Sequence, residues 1–168
     1  LGALDLAERM VEEIMLHRSR IEMLDAESDP EDLLQQLLDS AHTRLPVYQG
    51  EPDNIVGVIH AKDLLRAMHK MMFGPSPSPN GLKDFKILDV VRPPYFIPDT
   101  TTLDDQMRQF LRRRTHFALV VDEYGSLEGL ITLEDILEEI VGEIKDEFHK
   151  AAEHAVQKLK DGHFSVNG

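Results

Sequence analysis

Two places in this chain set a polar residue three positions before an aspartate, directly after a β-branched run. One is Thr132-Leu133-Glu134-Asp135 and the other is His60-Ala61-Lys62-Asp63. Thr132 suits a helix N-cap, and Asp135 then falls at the third helical position. Free amides and the positive end of the helix dipole attract phosphate at such a start. A threonine hydroxyl can donate to a phosphate oxygen, and an aspartate can accept from ribose hydroxyls. The same residues also read as a relative of the capping box that holds only its own helix. In the first copy His60 replaces the hydroxyl. Its imidazole can fill the phosphate position, or contact the phosphate when protonated, and the two readings stand level.

These quartets end the two halves of an internal repeat. Gly57 corresponds to Gly129 and Asp63 to Asp135, both 72 positions apart. Repetition means that one supersecondary unit is built twice. Residues 4–16 carry apolar side chains at helical spacing and predict an amphipathic lead-in helix over 1–19. Arg20 to Leu24 predicts a short strand. Asp29-Pro30-Glu31-Asp32 marks a helix start, with Leu33, Leu34, Leu37, Leu38 and Ala41 as its buried stripe. Strands follow around 45–48 and 55–59, joined by a loop at 50–54, and a helix begins near Ala61. The run 74–81, rich in Pro, Gly and Ser, reads as a linker. The order then recurs: a strand at 95–97, a helix capped by Thr102, strands at 118–121 and 127–131, and a helix from Leu133.

Each unit is therefore strand–helix–strand–strand–helix, an α/β (α+β) fold. The predicted boundaries are 20–72 for the first unit, 73–83 for the linker and 84–147 for the second. Residues 148–168 read as a connector and the truncated start of a further domain. One unit of this size buries too little surface to be secure alone. Two copies packed sheet to sheet about a pseudo-twofold axis bury both apolar faces and leave two quasi-equivalent clefts.

Composition narrows the function. The chain has 168 residues and a formal net charge of −13. Such acidity argues against nucleic-acid backbones and anionic lipid surfaces as partners. Without cysteine there is no disulfide, thiolate metal site or cysteine nucleophile, which fits a reducing cytoplasm. No apolar run reaches transmembrane length. The chain starts at Leu1 and stops just after the strand-like run 163–166, and is expected to be an excised fragment. Its one basic cluster, Arg112-Arg113-Arg114 with Arg108, reads as a solvated helix end or as a local anion contact. There is no Ser–His–Asp arrangement, Walker loop or zinc spacing, so no enzyme activity is expected.

The repeat resembles a tandem pair of cystathionine-β-synthase (CBS) domains, the Bateman module. The matching residues are 42–47 and 57–65 in one copy, and 118–121 and 129–137 in the other. More narrowly it resembles the CorC/HlyC family, related to the cyclin-M transporters, through 40–48, 121–125 and 132–144. That resemblance implies cytoplasmic regulation of magnesium and cobalt efflux, at or near the inner face of a membrane and with a transmembrane transport domain or partner. It also implies an adenine nucleotide, ATP with magnesium, as ligand, and a homodimer shaped as a flat disc. In that family the residue matching Thr132 holds phosphate and the one matching Asp135 holds ribose. By resemblance Leu16, His42 and Thr43 lie near the base or sugar, and Arg44 is a phosphate candidate. Asp63 marks the mirror cleft, where His60 departs from the usual Ser or Thr and Phe117 from a frequently basic position. One good cleft per chain is therefore expected, around Thr132 and Asp135. The alternatives are a ligand-free dimerisation adaptor, and a direct divalent-metal sensor using the acidic run from Glu134 to Glu147.

Overall fold

The structure, a computed structural model, describes residues 6–162. The first unit runs β2 (Leu24–Asp25), α1 (Pro30–Asp39), β3 (Arg44–Gln49), β4 (Glu51–His60) and α2 (Ala61–Phe73). The second runs β5 (Phe96–Pro98), α3 (Leu103–Arg113), β6 (Phe117–Val121), β7 (Leu127–Thr132) and α4 (Leu133–Gly162). The predicted order of elements holds in both. In each unit an antiparallel hairpin carries a parallel edge strand, β2 on β3 and β5 on β6.

Local sequence explains the helices. Pro30 fixes the first position of α1, and Leu33 and Leu37 fill the core beneath it. The Thr102 hydroxyl accepts from the Asp105 amide at 3.2 Å and starts α3. Leu103 and Phe110 of α3 pack with Val120, Ile131 and Ile136 in the second unit's core. A third cluster joins the sheets, with Ile55 and Tyr48 of the first unit against Leu119, Leu127 and Leu130 of the second.

The segments that precede the units cross over. β1 (Leu16–His17) precedes the first unit but pairs antiparallel with β7 of the second, Leu16 opposite Leu130 and His17 opposite Gly129. Arg92 precedes the second unit and bridges Val58 of β4 through two backbone hydrogen bonds of 2.9 Å. Each unit's leader thus completes the other unit's sheet. The repeat glycines make this approach possible. A Cβ on Gly129 would lie 2.5 Å from the Leu16 carbonyl oxygen, and one on Gly57 2.7 Å from the Val91 Cβ. Side-chain atoms do not approach that closely.

The sequence expectations need correction in several places. The lead-in is not an α-helix over its described part: Val11–Glu13 form one 3-10 turn and β1 follows. Its apolar residues face the second unit's core, which Leu6 and Val11 enter. The early strand lies at Leu24–Asp25, later than Arg20 to Leu24, because Arg18–Arg20 form a 3-10 turn. Leu38 lies within α1 but on its exposed side, away from Leu33 and Leu37, and Ala41 is exposed because α1 ends at Asp39. The expected 50–54 loop is mostly strand, because Gly50 turns the hairpin alone at φ 81°. The spacing also predicts Leu103, Met107, Phe110 and Leu111 as the buried stripe of α3, but Leu111 is exposed and Gln106 is buried, donating to the Tyr95 hydroxyl at 3.3 Å. α4 runs unbroken through the expected boundary at 147, and the strand-like run 163–166 lies outside the described residues.

Gly129→Ala and Gly57→Ala are expected to cost about 1–3 kcal/mol each, as overpacking against a neighbouring backbone does. Gly142→Ala meets nothing within 4 Å and is expected to be neutral or stabilising. Urea unfolding of the three variants tests the ranking.

Candidate functional site

The two hairpins end in the two quartets, and each hands its chain directly to a helix. Thr132 and Asp135 cap α4 reciprocally. The Thr132 hydroxyl accepts from the Asp135 amide, and an Asp135 carboxylate oxygen accepts from the Thr132 amide, both at 3.1 Å. The Leu133 amide goes to the His116 carbonyl at 2.9 Å. The helix start therefore offers fewer free amides than the sequence suggests. What it presents is the Thr132 hydroxyl hydrogen and the second Asp135 oxygen.

His60 does the capping differently in α2. Its Nδ1 accepts from the Lys62 amide at 3.1 Å, so the neutral ring carries its proton on Nε2. The Ala61 amide donates to the Thr43 carbonyl at 2.7 Å. Asp63 is not part of a cap; it pairs with Arg92 at 3.2 Å. The two carboxylates that correspond in sequence thus have different partners.

Leu16, His42, Thr43, Arg44 and Thr132 line one cleft of about 110 Å³ between the units. Phe117, Leu130 and Ile21 form its apolar wall, and Glu22 stands at its side, 3.7 Å from the His42 Nε2. Asp135 does not line this cavity directly and reaches it through Thr132. Asp63 and His60 line the mirror cleft, which is larger, at about 350 Å³. Phe117 lines it as expected, yet Arg44, Lys62, Arg66, Arg92 and Arg114 surround it too. Of these the sequence marks Arg44 as a phosphate candidate and Arg114 within the basic cluster, but reading it misses Lys62, Arg66 and Arg92, although the 72-residue register sets Lys62 opposite Glu134 and Arg66 opposite Glu138.

The acidic face of α4 has a partner within the chain. Arg9 pairs with Glu139 and lies 3.3 Å from Glu143. The hydrogen bond to Glu139 is the main cause that holds the Arg9 guanidinium above its usual pKa, with burial opposing it. Among the described residues no three His, Asp or Glu side chains converge as metal ligands. Nor is any helix among them long and apolar enough to cross a membrane.

A duplicated βαββα unit, with crossed leaders and a cleft on each side of the axis, defines a paired two-cleft module. Known proteins place it further. The CBS domain model matches residues 11–70 and 83–142. The magnesium and cobalt efflux protein CorC of Pasteurella multocida is 36% identical over 165 residues, 98% of this chain and 52% of the relative. The CorC of Vibrio cholerae is likewise 36% identical over 165 residues, covering 98% and 53%. The ATP complex of the CBS domain of a bacterial CNNM/CorC family Mg2+ transporter is 39% identical with a TM-score of 0.71, covering 83% of this chain and 92% of that one. A CBS-domain pair with bound AMP from Klebsiella pneumoniae is 31% identical with a TM-score of 0.66, covering 80% and 99%. The chain belongs to the CBS domain family, as a tandem pair of the CNNM/CorC kind. It spans about half the length of the CorC relatives it matches.

Without any ligand, Thr132→Ala is expected to lower stability by about 1 kcal/mol through loss of the cap. Asp135→Ala is expected to do the same, by leaving the Thr132 amide unsatisfied. Asp63→Ala removes only a pair to an exposed arginine and is expected to cost less. Thermal melts of the ligand-free variants decide the order.

Proposed function

We propose that this CBS pair is a regulatory adenine-nucleotide-binding module of a CorC-type protein, with ATP and magnesium bound in the Thr132 cleft. One observation carries the reading. The reciprocal Thr132–Asp135 cap opens onto a cleft whose far wall, with His42, Thr43 and Arg44, comes from the other unit. A ligand there touches both units at once. The ATP-bound and AMP-bound relatives support adenine nucleotide as the ligand class. Thr132 would donate to phosphate, Asp135 would accept from ribose, and Arg44 would pair with phosphate. Magnesium would arrive on the phosphates and keep several of its waters. The role is binding and signalling, not catalysis.

The cleft of about 110 Å³ is below the usual range of about 300–1,000 Å³ for small-molecule sites. A nucleotide would have to widen it, and the Glu22–His42 pair at its side would be the contact to give way. Binding then favours one relative orientation of the units over another, which is the differential affinity that ligand control requires. That shift would act on magnesium or cobalt efflux, the activity for which the CorC relatives are named, and we place it on the cytoplasmic side of a membrane.

A second copy of the chain is the proposed partner. Leu137, Val141, Ile144 and Phe148 make an exposed stripe along α4, at the four- and three-residue spacing of a helix–helix seam. Leu65, the register equivalent of Leu137, is exposed on α2. Two like patches related by the pseudo-twofold suit a self-complementary contact. Sedimentation is expected to give a dimer, and Val141→Glu with Ile144→Glu a monomer.

Calorimetric titration with ATP and magnesium is expected to give one strong site per chain that Asp135→Ala removes. At 100 times the dissociation constant the ligand stabilises by about 2.7 kcal/mol, a visible rise in melting temperature. Melting curves unmoved by ATP with magnesium, ADP and AMP would end the nucleotide reading. A shift with magnesium alone, equal to that with ATP, would favour the metal sensor.

A further inference from the structure

We infer that Arg9 and its carboxylate partners on α4 form an autoinhibitory clasp that holds the Thr132 cleft narrow. The inference rests on the nucleotide reading of that cleft and adds its regulation. Leu16 and Thr132 both line the cleft. Arg9 stands seven residues before Leu16, and Glu139 seven residues after Thr132. β1 joins β7 through two residue pairs, and β7 ends at Thr132, which caps α4. The Arg9–Glu139 pair, with Glu143 at 3.3 Å, closes a ring that runs through the leader, β1, β7 and α4. Beyond β1 the chain continues to Ile21 and Glu22, which also line the cleft, and enters the first unit. A ligand that widens the cleft moves one unit against the other and pulls on this leader. The two-residue ladder of β1 resists that pull weakly, and the clasp behind it adds the resistance of an ion pair.

The duplication supplies an internal control. The two leaders carry matching 3-10 turns, Val11–Glu13 and Ile87–Asp89, 76 positions apart. The Ile14 and Met15 amides donate to the Val11 carbonyl, as those of Val90 and Val91 donate to Ile87. In this register Arg9 corresponds to Phe85 and Leu6 to Leu82. In the 72-residue register of the helices, Glu139 corresponds to Ala67 and Glu143 to Met71. Phe85 is buried in the first unit's core cluster, against which Ala67, Met71 and Leu82 also pack. The first unit thus closes the joint between leader and helix with apolar groups. The second keeps an apolar Leu6 but replaces the rest by an arginine and two carboxylates. The shared scaffold does not require ions at this joint, and they occur on the half that carries Thr132.

The clasp is also built to give way. Glu13 lies 3.5 Å from the Arg9 Nε, so three carboxylates share one guanidinium. Their formal excess is two negative charges. The Glu143 Oε2 is buried and has no hydrogen-bond partner. An unpaired buried carboxylate oxygen costs desolvation energy that water returns once the joint opens. An apolar joint such as that of Phe85 stores no such cost. The closed state is therefore held by one ionic contact and weakened by its own surplus charge. Such a balance lets a ligand with modest preference for the open state shift the population.

The test pairs calorimetric titration of ATP with magnesium against ligand-free melting curves, on the 168-residue chain and two variants. Arg9→Gln opens the clasp. It is expected to melt lower yet bind ATP more tightly by about tenfold, the equivalent of one hydrogen bond to a charged group. Arg9→Phe with Glu139→Ala and Glu143→Met copies the first unit's joint. It is expected to melt higher, as apolar replacement of an ionic cluster often does, and to bind ATP more weakly by a similar factor. Affinity and stability then move in opposite directions. A contact with only a structural role moves them together or leaves affinity alone. The inference is overturned if Arg9→Gln binds no more tightly than the unaltered chain, a comparison that decides alone if the triple variant does not fold. It is equally overturned if the folded triple variant binds as well as the unaltered chain. Equal binding by all three proteins removes the clasp and leaves the nucleotide reading standing. Binding by neither the unaltered chain nor Arg9→Gln removes the nucleotide reading and the clasp with it.

Discussion

Backbone against glycine is the contact on which this structure depends. Each leader segment lies across the other unit's hairpin where Gly57 or Gly129 has no side chain. The two units are therefore laced together by main-chain hydrogen bonds as well as packed through Ile55, Leu119 and Leu130. The lacing also builds both clefts. Leu16 becomes a wall of one because β1 pairs with β7, and Arg92 a wall of the other because it bridges Val58. A unit pulled away from its partner would lose a sheet edge and a cleft wall together.

Charge at the clefts comes from side chains more than from helix ends. In both α2 and α4 the first amide is taken by the carbonyl of the residue just before a strand, Thr43 before β3 in one and His116 before β6 in the other. A further amide goes to His60 or to Thr132. The helix dipole still points at each cleft, but few donors remain to act on it. The identity of the surrounding side chains then decides what each cleft attracts. Neutral and mixed groups line the Thr132 cleft, and cations dominate its mirror.

Much of this was legible in the sequence, and the exceptions share a cause. The repeat, the caps at Pro30 and Thr102, and the order of elements follow from local rules of spacing and capping. Residues 6–19 misled because apolar spacing records burial, not conformation. Leu6 and Val11 are buried by the second unit's core, a long-range contact that overrides a short helical pattern. Glu51–Asn54 looked like a loop by composition, yet Gly50 completes the turn and the polar residues extend an exposed strand end. For the site, Leu16, His42, Thr43, Arg44 and Thr132 meet in one cleft, while Asp135 acts through Thr132. Lys62, Arg66 and Arg92 escaped notice, and Arg44 and Arg114 were not joined to them, because the mirror cleft's cations come from four separate segments. Only the crossing of Arg92 and the left-handed turn at Arg114 bring them together.

Arg44 joins the two clefts physically. It begins β3 opposite His60, lines both cavities, and shares each with Phe117. A guanidinium drawn toward an anion on one side is less available on the other. An anion that drew the Arg44 guanidinium into one cleft would leave less positive charge for the other, and by linkage that effect would be mutual. The crossed leaders strengthen the connection, since moving Leu16 moves β7, and β7 ends at Thr132. A duplicated scaffold with a shared arginine thus places one side chain where both clefts can use it. The two clefts share that arginine and a phenylalanine yet differ in charge, so the duplication has kept the scaffold while the chemistry of its two faces diverged.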